Sequence, residues 1–138
     1  MSEKMEEILD DYLDQVKGMI QETGDTPAIV AFLVRERILE AECGSREEIK
    51  RAIGIADLLE AEWVCVVFTG WMKEMKPGEK YRYGDVARSP EKKEVLVGQI
   101  RDRSGIRLCR MFIIHRKPDE IDFEEIKGFD SFGGELSV

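Results

Sequence analysis

The chain has 138 residues, of which 43% are hydrophobic and 36% are charged, and its formal net charge is −8. This apolar content excludes a disordered chain, and the length suits one domain with its own core. No apolar run reaches the roughly 18 residues of a membrane-spanning helix, and the acidic, amphipathic N-terminus differs from a signal or transit peptide. We therefore expect a cytoplasmic globular protein that has no membrane partner.

The first two predicted elements are a helix and a hairpin. Apolar residues recur at i, i+3, i+4 and i+7 over residues 3–22, and Gly24 follows at a position suited to a left-handed helix cap. Residues 27–43 begin with a continuous apolar run and end in an apolar–acidic alternation, which predicts two strands with a turn at 35–37. The alternative is one helix with Thr26 as its N-cap, but the β-branched and aromatic content favours the hairpin.

A second helix and a central strand follow. Ser45 and Glu48 form an S-x-x-E capping box, which predicts a helix that runs to about Glu60. Its predicted buried residues are Ile49, Ala52, Ile53, Ala56 and Leu59. Residues 63–69 are apolar without interruption, which predicts a strand buried on both faces.

The second half of the chain predicts a loop, a hairpin and a short helix. Proline and glycine turn signals over residues 72–92 indicate a long exposed loop. Strands are predicted at residues 94–101 and 106–116, with a turn between them, and a short helix at residues 122–127.

The element order α-β-β-α-β-β-β predicts an α+β fold. We expect a two-layer arrangement in which a mainly antiparallel sheet of about five strands packs with two main helices. Residues 1–127 form the predicted single domain, and residues 128–138 are expected to be a flexible acidic tail. The same order of elements occurs in roadblock-type and longin-type domains, which serve as dimerising scaffolds; the resemblance is one of topology and not of residue motifs.

Three stretches, at residues 61–72, 89–97 and 102–105, resemble a family of uncharacterised prokaryotic and phage proteins. In that family a strand ends in a tryptophan, a proline- and charge-rich loop follows, and a hairpin closes on a glycine. The corresponding residues here are Trp71, Pro90 and Gly105. The resemblance implies no activity.

The residues of catalytic chemistry are sparse. His115 is the one histidine, the three cysteines contain no CxxC spacing, and no nucleotide-binding, nucleophile-elbow or zinc-protease motif occurs. We therefore predict no metal and no cofactor, and cysteines that serve as core residues in a reducing compartment. An enzyme would need His115 to meet Cys65 across strands, or a cleft that holds Asp85, Glu94 or Glu62.

Charge is distributed unevenly, which bears on partners. Residues 73–118 contain thirteen basic and six acidic side chains, whereas residues 119–138 contain one basic and seven acidic ones. The acidic segment is therefore expected to lie on the basic one and mask it. The absence of asparagine also suggests a thermophilic source.

These observations favour a small non-catalytic interaction protein that self-associates. The alternative is a nucleic-acid or phosphate-ligand binder that uses the basic segment 73–116, although the net negative charge disfavours it. Trp71 is either buried in the core or an anchor for a partner. The predicted partner-binding residues are Trp71, Tyr81, Arg82, Tyr83 and Arg88.

Overall fold

The computed structural model describes residues 2–73, 77–78 and 88–127 of the chain. Within these residues the chain forms two helices and six strands. In chain order they are α1 (Ser2–Thr23), β1 (Ala28–Val34), β2 (Arg37–Cys43), α2 (Arg46–Leu58), β3 (Trp63–Met72), β4 (Lys93–Asp102), β5 (Arg107–Arg116) and β6 (Ile121–Glu125).

The six strands form one sheet in the order β2-β1-β3-β4-β5-β6, and every neighbouring pair is antiparallel. The α+β class is therefore confirmed, as is the hairpin at residues 27–43 over the alternative helix. The sheet has one strand more than the five expected. The extra strand is β6, so the predicted short helix at residues 122–127 is wrong.

β6 forms because its apolar and its acidic side chains alternate, so that each set suits one face of the sheet. Ile121 and Phe123 pack against the hydrophobic cluster beneath α1, while Asp122 and Glu124 project from the opposite face. This period-two pattern and the pairing with β5 outweigh the helix propensity of a short Glu-rich segment.

The helices cover opposite faces of the sheet, so the molecule has three layers instead of the two expected. Leu9, Leu13 and Val16 of α1 pack against one face, together with Cys65 and Leu96 of the central strands. Ile49, Ala52 and Ala56 of α2 pack against the other face of the sheet. The strand side chains on that face, such as Val64 and Val66, alternate along β3 with those that contact α1. β3 is therefore buried on both faces from Trp63 to Phe68, as its continuous apolar run predicts.

The start of α2 has the predicted side-chain cap. The Ser45 hydroxyl accepts the backbone N–H of Glu48 at 3.2 Å, and the Glu48 carboxylate accepts the N–H of Gly44 at 2.6 Å. The second bond reaches one residue further back than the expected reciprocal box, but it still satisfies an orphan donor. No helix within the described residues is long and apolar enough to cross a membrane.

Candidate interaction surfaces

The predicted partner site centres on Trp71, at the end of β3. This side chain is 51% exposed, so it is not buried in the core, in contrast to Trp63 on the same face of the strand. The ammonium of Lys92 lies 4.4 Å from the centroid of the Trp71 ring, which is a cation–π distance. Arg88 is exposed, and Tyr81, Arg82 and Tyr83 lie outside the described residues.

The basic hairpin β4–β5 is paired with acidic groups of the same chain. On the α2 face Arg101 binds Asp57 of α2. On the α1 face Arg110 binds Asp10 of α1 at 3.1 Å and Glu125 of β6 at 3.4 Å. Arginines that already hold carboxylates are less available to phosphates, so these pairs weaken the nucleic-acid alternative.

The acidic segment after residue 118 lies beside this hairpin over its described part. β6 pairs with β5, and its side chains reach basic groups there, with Glu124 Oε1 at 2.7 Å from His115 Nε2 and Asp122 at 2.7 Å from Lys117 Nζ. The expected contact of acidic and basic segments therefore exists for residues 121–125. Residues 128–138, the predicted acidic tail, lie outside the described residues.

The structure does not bring the predicted catalytic candidates together. Cys65 packs on the α1 face, whereas His115 projects from the α2 face, because it alternates with Ile114 of the α1 cluster. Burial also raises the pKa of the Cys65 thiol to about 12, which keeps it protonated and poorly nucleophilic. The two residues therefore form no nucleophile–base pair.

The carboxylate candidates are separated in the same way. Glu62 precedes the first residue of β3, whereas Glu94 lies opposite Trp71 near the end of that strand, roughly 30 Å away at the rise of a β-strand. Glu94 is held by Arg116, with Oε1 at 2.6 Å from Nε, and Asp85 lies outside the described residues. Among the described residues, no group of three His, Cys, Asp or Glu side chains is arranged to hold a metal ion.

A cavity of about 630 Å³ opens where α2 begins, and the sequence gives no sign of it. Its walls include Thr26, Cys43, Ser45 and Arg46. The Ser45 hydroxyl is engaged in the helix cap, and burial together with the nearby Glu48 raises the pKa of the Cys43 thiol. The cavity therefore contains no activated nucleophile.

Among the described residues, a group of exposed apolar side chains lies elsewhere, on β2, the last turn of α2 and its C-cap residue. Leu58 is 83% exposed, and the other members are 44–51% exposed. Soluble monomers rarely leave several large apolar groups together in water, and such patches mark interaction sites. We define the β2–α2 surface as Leu39, Ile55, Leu58 and Leu59. Ile38 is also exposed, but it pairs with Leu33 of the α1 cluster and therefore projects from the opposite face.

Strand register places Leu39 and the α2 residues along the same side of the molecule. Leu39 pairs with Phe32, which packs in the α2 cluster, so Leu39 projects from the α2 face. On α2, Asp57 reaches toward β4 to bind Arg101. Ile55 and Leu59, two positions to either side of Asp57, therefore project away from β4 and toward β2.

Leu59 corrects the predicted core of α2, which included it. It follows the last turn of the helix, as the C-cap residue, and it is 45% exposed. Helical periodicity predicts which residues of α2 lie on one face of the helix. It does not predict whether the sheet extends far enough to bury the last of them, Leu59. β2 is the outermost strand there, and within the described residues nothing pairs with its outer side.

Comparison of the chain with protein-family models, with curated proteins and with solved structures finds no match. The β2–α2 surface and the surroundings of Trp71 therefore have to be interpreted from their own geometry.

Proposed function

We propose that this protein is a non-catalytic interaction module that self-associates through the β2–α2 surface. One observation carries the proposal: four large apolar side chains, 44–83% exposed, lie on one face along the outermost strand of the sheet and the helix beside it. Removing such side chains from water on association supplies the main driving force for protein–protein binding.

The surroundings of Trp71 are the competing site. Trp71 has the same fractional exposure as Ile55, 51%, but it lies on the α1 face near the end of β3, whereas the other exposed large apolar side chains of the described residues lie on β2 and at the end of α2. A single exposed aromatic side chain needs no partner to explain it, whereas a group of apolar residues does.

The test uses this match in exposure. Sedimentation equilibrium of the full chain should show a reversible oligomer. Ile55→Glu should weaken the oligomer at least tenfold, because it places a charge in the contact. Trp71→Glu is the control, with equal exposure and equal added charge, and it should leave the oligomer unchanged.

Both substitutions are at exposed positions, so their melting temperatures should stay close to that of the parent chain. The opposite pattern, with Trp71→Glu dissociating the oligomer and Ile55→Glu silent, would move the site to the predicted residues around Trp71. A chain that sediments as a monomer at every concentration would contradict the proposal.

A further inference from the structure

We infer that the partner at the β2–α2 surface is a second copy of this chain, joined by antiparallel pairing of the two β2 strands. Two six-stranded sheets would then form one continuous sheet of twelve strands. The inference rests on the proposed function, because it specifies the partner and the geometry of the same surface.

The outward backbone groups of β2 follow from the hairpin geometry. β1 and β2 are joined by the two residues Arg35 and Glu36, so Val34 and Arg37 form the closing hydrogen-bonded pair. The carbonyl of Leu33, one residue earlier, points the other way and accepts the Glu62 N–H at 2.8 Å. This alternation directs the N–H and C=O groups of every second residue of β2 away from the sheet. The outward residues are Ile38, Glu40 and Glu42.

β2 lacks a bulge and a proline, two of the features that protect an edge strand from pairing, although three of its seven residues are charged. It pairs with β1 over all seven residues. The other edge, β6, has only five residues, and its Glu124 and Asp122 contact His115 of β5 and Lys117 just after β5. A long, regular edge with exposed apolar side chains is a template for a further strand.

The charges along β2 favour an antiparallel partner of the same sequence. The strand begins with Arg37, which follows the turn residues Arg35 and Glu36, so this end has one net positive charge, and its second half contains Glu40 and Glu42. Antiparallel pairing brings the basic end of one copy to the acidic end of the other, whereas parallel pairing would align like charges.

The two-fold symmetry of such a pair limits its register. The axis is perpendicular to the sheet, so each face continues into the same face of the second copy. Opposed residues of two antiparallel strands project from the same face of a sheet, and in β2 the odd-numbered residues project from the α2 face. An odd-numbered residue must therefore lie opposite an odd-numbered one, and an even-numbered residue opposite an even-numbered one. Centring the pair on Glu40 would oppose two carboxylates, and centring it on Ile38 would require Glu36, which lies in the turn.

Centring on Leu39 avoids both problems. Leu39 then lies opposite Leu39 of the second copy, and Ile38 lies opposite Glu40 of the second copy. Each of the two symmetry-related Ile38–Glu40 pairs exchanges two backbone hydrogen bonds, because both residues have outward groups. The Leu39 pair is non-hydrogen-bonded, the type in which side chains approach most closely.

The helices support this register. With the faces continuous, both α2 helices lie on the same side of the twelve-stranded sheet, one on each side of the axis. The two β1 strands are three strand spacings apart, about 14 Å. Leu39, Ile55 and Leu59 of the two copies then meet between the helices, which removes their exposed surface from water.

The first experiment blocks the outward edge. Glu40→Pro removes an outward N–H while leaving the inward bonds of its neighbours to β1, a position at which edge strands tolerate proline. The dimer dissociation constant should rise at least tenfold in sedimentation equilibrium. Glu40→Gln is the control for the lost carboxylate and for the bond that it accepts from the Tyr12 hydroxyl at 2.8 Å, and its dissociation constant should stay well below that of Glu40→Pro.

The second experiment tests the register and does not depend on proline being tolerated. Opposed Cα atoms in a non-hydrogen-bonded pair are about 4.5 Å apart, within disulfide range. Leu39→Cys should therefore give a disulfide-linked dimer under mild oxidation, with the joined peptide identified by mass spectrometry. Glu42→Cys is the control, since in this register the two positions 42 are separated by about 20 Å.

The outcomes separate this inference from the proposed function. A dimer that Glu40→Pro leaves intact and Leu39→Cys does not link would overturn the β2–β2 pairing while leaving self-association standing. Linking through Glu42→Cys with no linking through Leu39→Cys would overturn the register. A monomer at every concentration would overturn both the pairing and the proposed function.

Discussion

At the scale of single residues, Gly98 in β4 shows how closely α1 lies on the sheet. A Cβ atom at this position would lie 2.7 Å from Cδ2 of Leu13 and 3.0 Å from Cδ1 of Leu9. Both leucines are fully buried, so neither has free space to move into. Gly98 is therefore required for the close approach of helix and strand.

Gly98→Ala should lower the free energy of unfolding by about 1–3 kcal/mol, the usual effect of inserting a methyl group into a well-packed core. Gly70→Ala is the matched control, because Gly70 is also in a strand and a Cβ there would contact nothing within 4 Å. Urea unfolding of both variants measures the difference. Equal stability of the two would mean that α1 shifts at no cost.

The sequence contains no signal for the role of Gly98. A glycine within an apolar strand has the same local pattern whether a helix lies on it or not. The capping residues Ser45 and Glu48 could be predicted, in contrast, because a cap depends on residues adjacent in sequence. Residue roles that depend on a contact with a distant element have to be read from the fold.

At the scale of elements, the β1–β2 turn has an unusual composition for its geometry. Arg35 and Glu36 have φ values of 50° and 67°, the left-handed region that two-residue hairpin turns require. Asn-Gly is the preferred pair at such positions, because L-residues with longer side chains are strained there. The pairing of the strands on either side holds these two residues in place.

Replacing the turn by Arg35→Asn together with Glu36→Gly should raise the free energy of unfolding by about 1 kcal/mol, because it relieves this backbone strain. Thermal unfolding followed by circular dichroism measures the change. The double variant Arg35→Ala with Glu36→Ala removes the same charges but keeps L-residues in both positions. If it is stabilised equally, charge at the turn is the cause and the backbone is not.

Most elements could be predicted from local pattern, but their arrangement could not. The helix α1, the hairpin β1–β2 and the apolar strand β3 all have strong periodicity or continuous apolar runs. β6 is only five residues long and rich in glutamate, so its pairing with β5 decides its structure. Element order also does not reveal which face each helix covers, so it cannot distinguish a two-layer from a three-layer arrangement.

At the scale of the whole molecule, Tyr12 links α1 to the edge strand β2. It is buried, and its hydroxyl donates a hydrogen bond to Glu40 at 2.8 Å. Burial, followed by the bond to the Glu40 carboxylate, raises the pKa of Tyr12 well above its usual value. Burial also raises the pKa of the Cys65 thiol to about 12 and that of the Cys109 thiol to about 11. The fold therefore favours the neutral form of all three groups.

This arrangement makes stability depend on alkaline pH. A group whose pKa is raised by folding contributes its full stability below its unfolded pKa, about 10 for tyrosine, and loses it as pH rises toward the folded value. We expect the free energy of unfolding to begin to fall near pH 9, the unfolded pKa of the two cysteines, and to fall more steeply above pH 10. Tyr12→Phe should be less stable than the parent chain at pH 7, since it loses a hydrogen bond, but its decline above pH 10 should be shallower. Parallel slopes for the two proteins in urea titrations between pH 8 and pH 11 would contradict this assignment.

The candidate surface could be predicted only in outline. The charge blocks indicate that acidic and basic segments meet, but only the fold shows that Arg110 and Arg101 find their partners on α1, α2 and β6. Leu59 continues the helical stripe of Ile49, Ala52 and Ala56, so its sequence pattern is that of a core residue, whereas Ile55 and Leu58 lie off that stripe and are not predicted to be buried. The exposure of Leu59 becomes visible once the sheet beneath α2 ends at β2.

The burial of β3 and β4 on both faces has an evolutionary consequence. Trp63 to Phe68 of β3 and Val95 to Ile100 of β4 are buried throughout, so the side chains of these strands are constrained by α1 on one face and by α2 on the other. We expect homologous chains to retain the apolar character of this hairpin and a glycine at position 98. Most of their divergence should accumulate in the solvent-facing stripes of the helices, so that ancestry is best traced through the middle of the sheet.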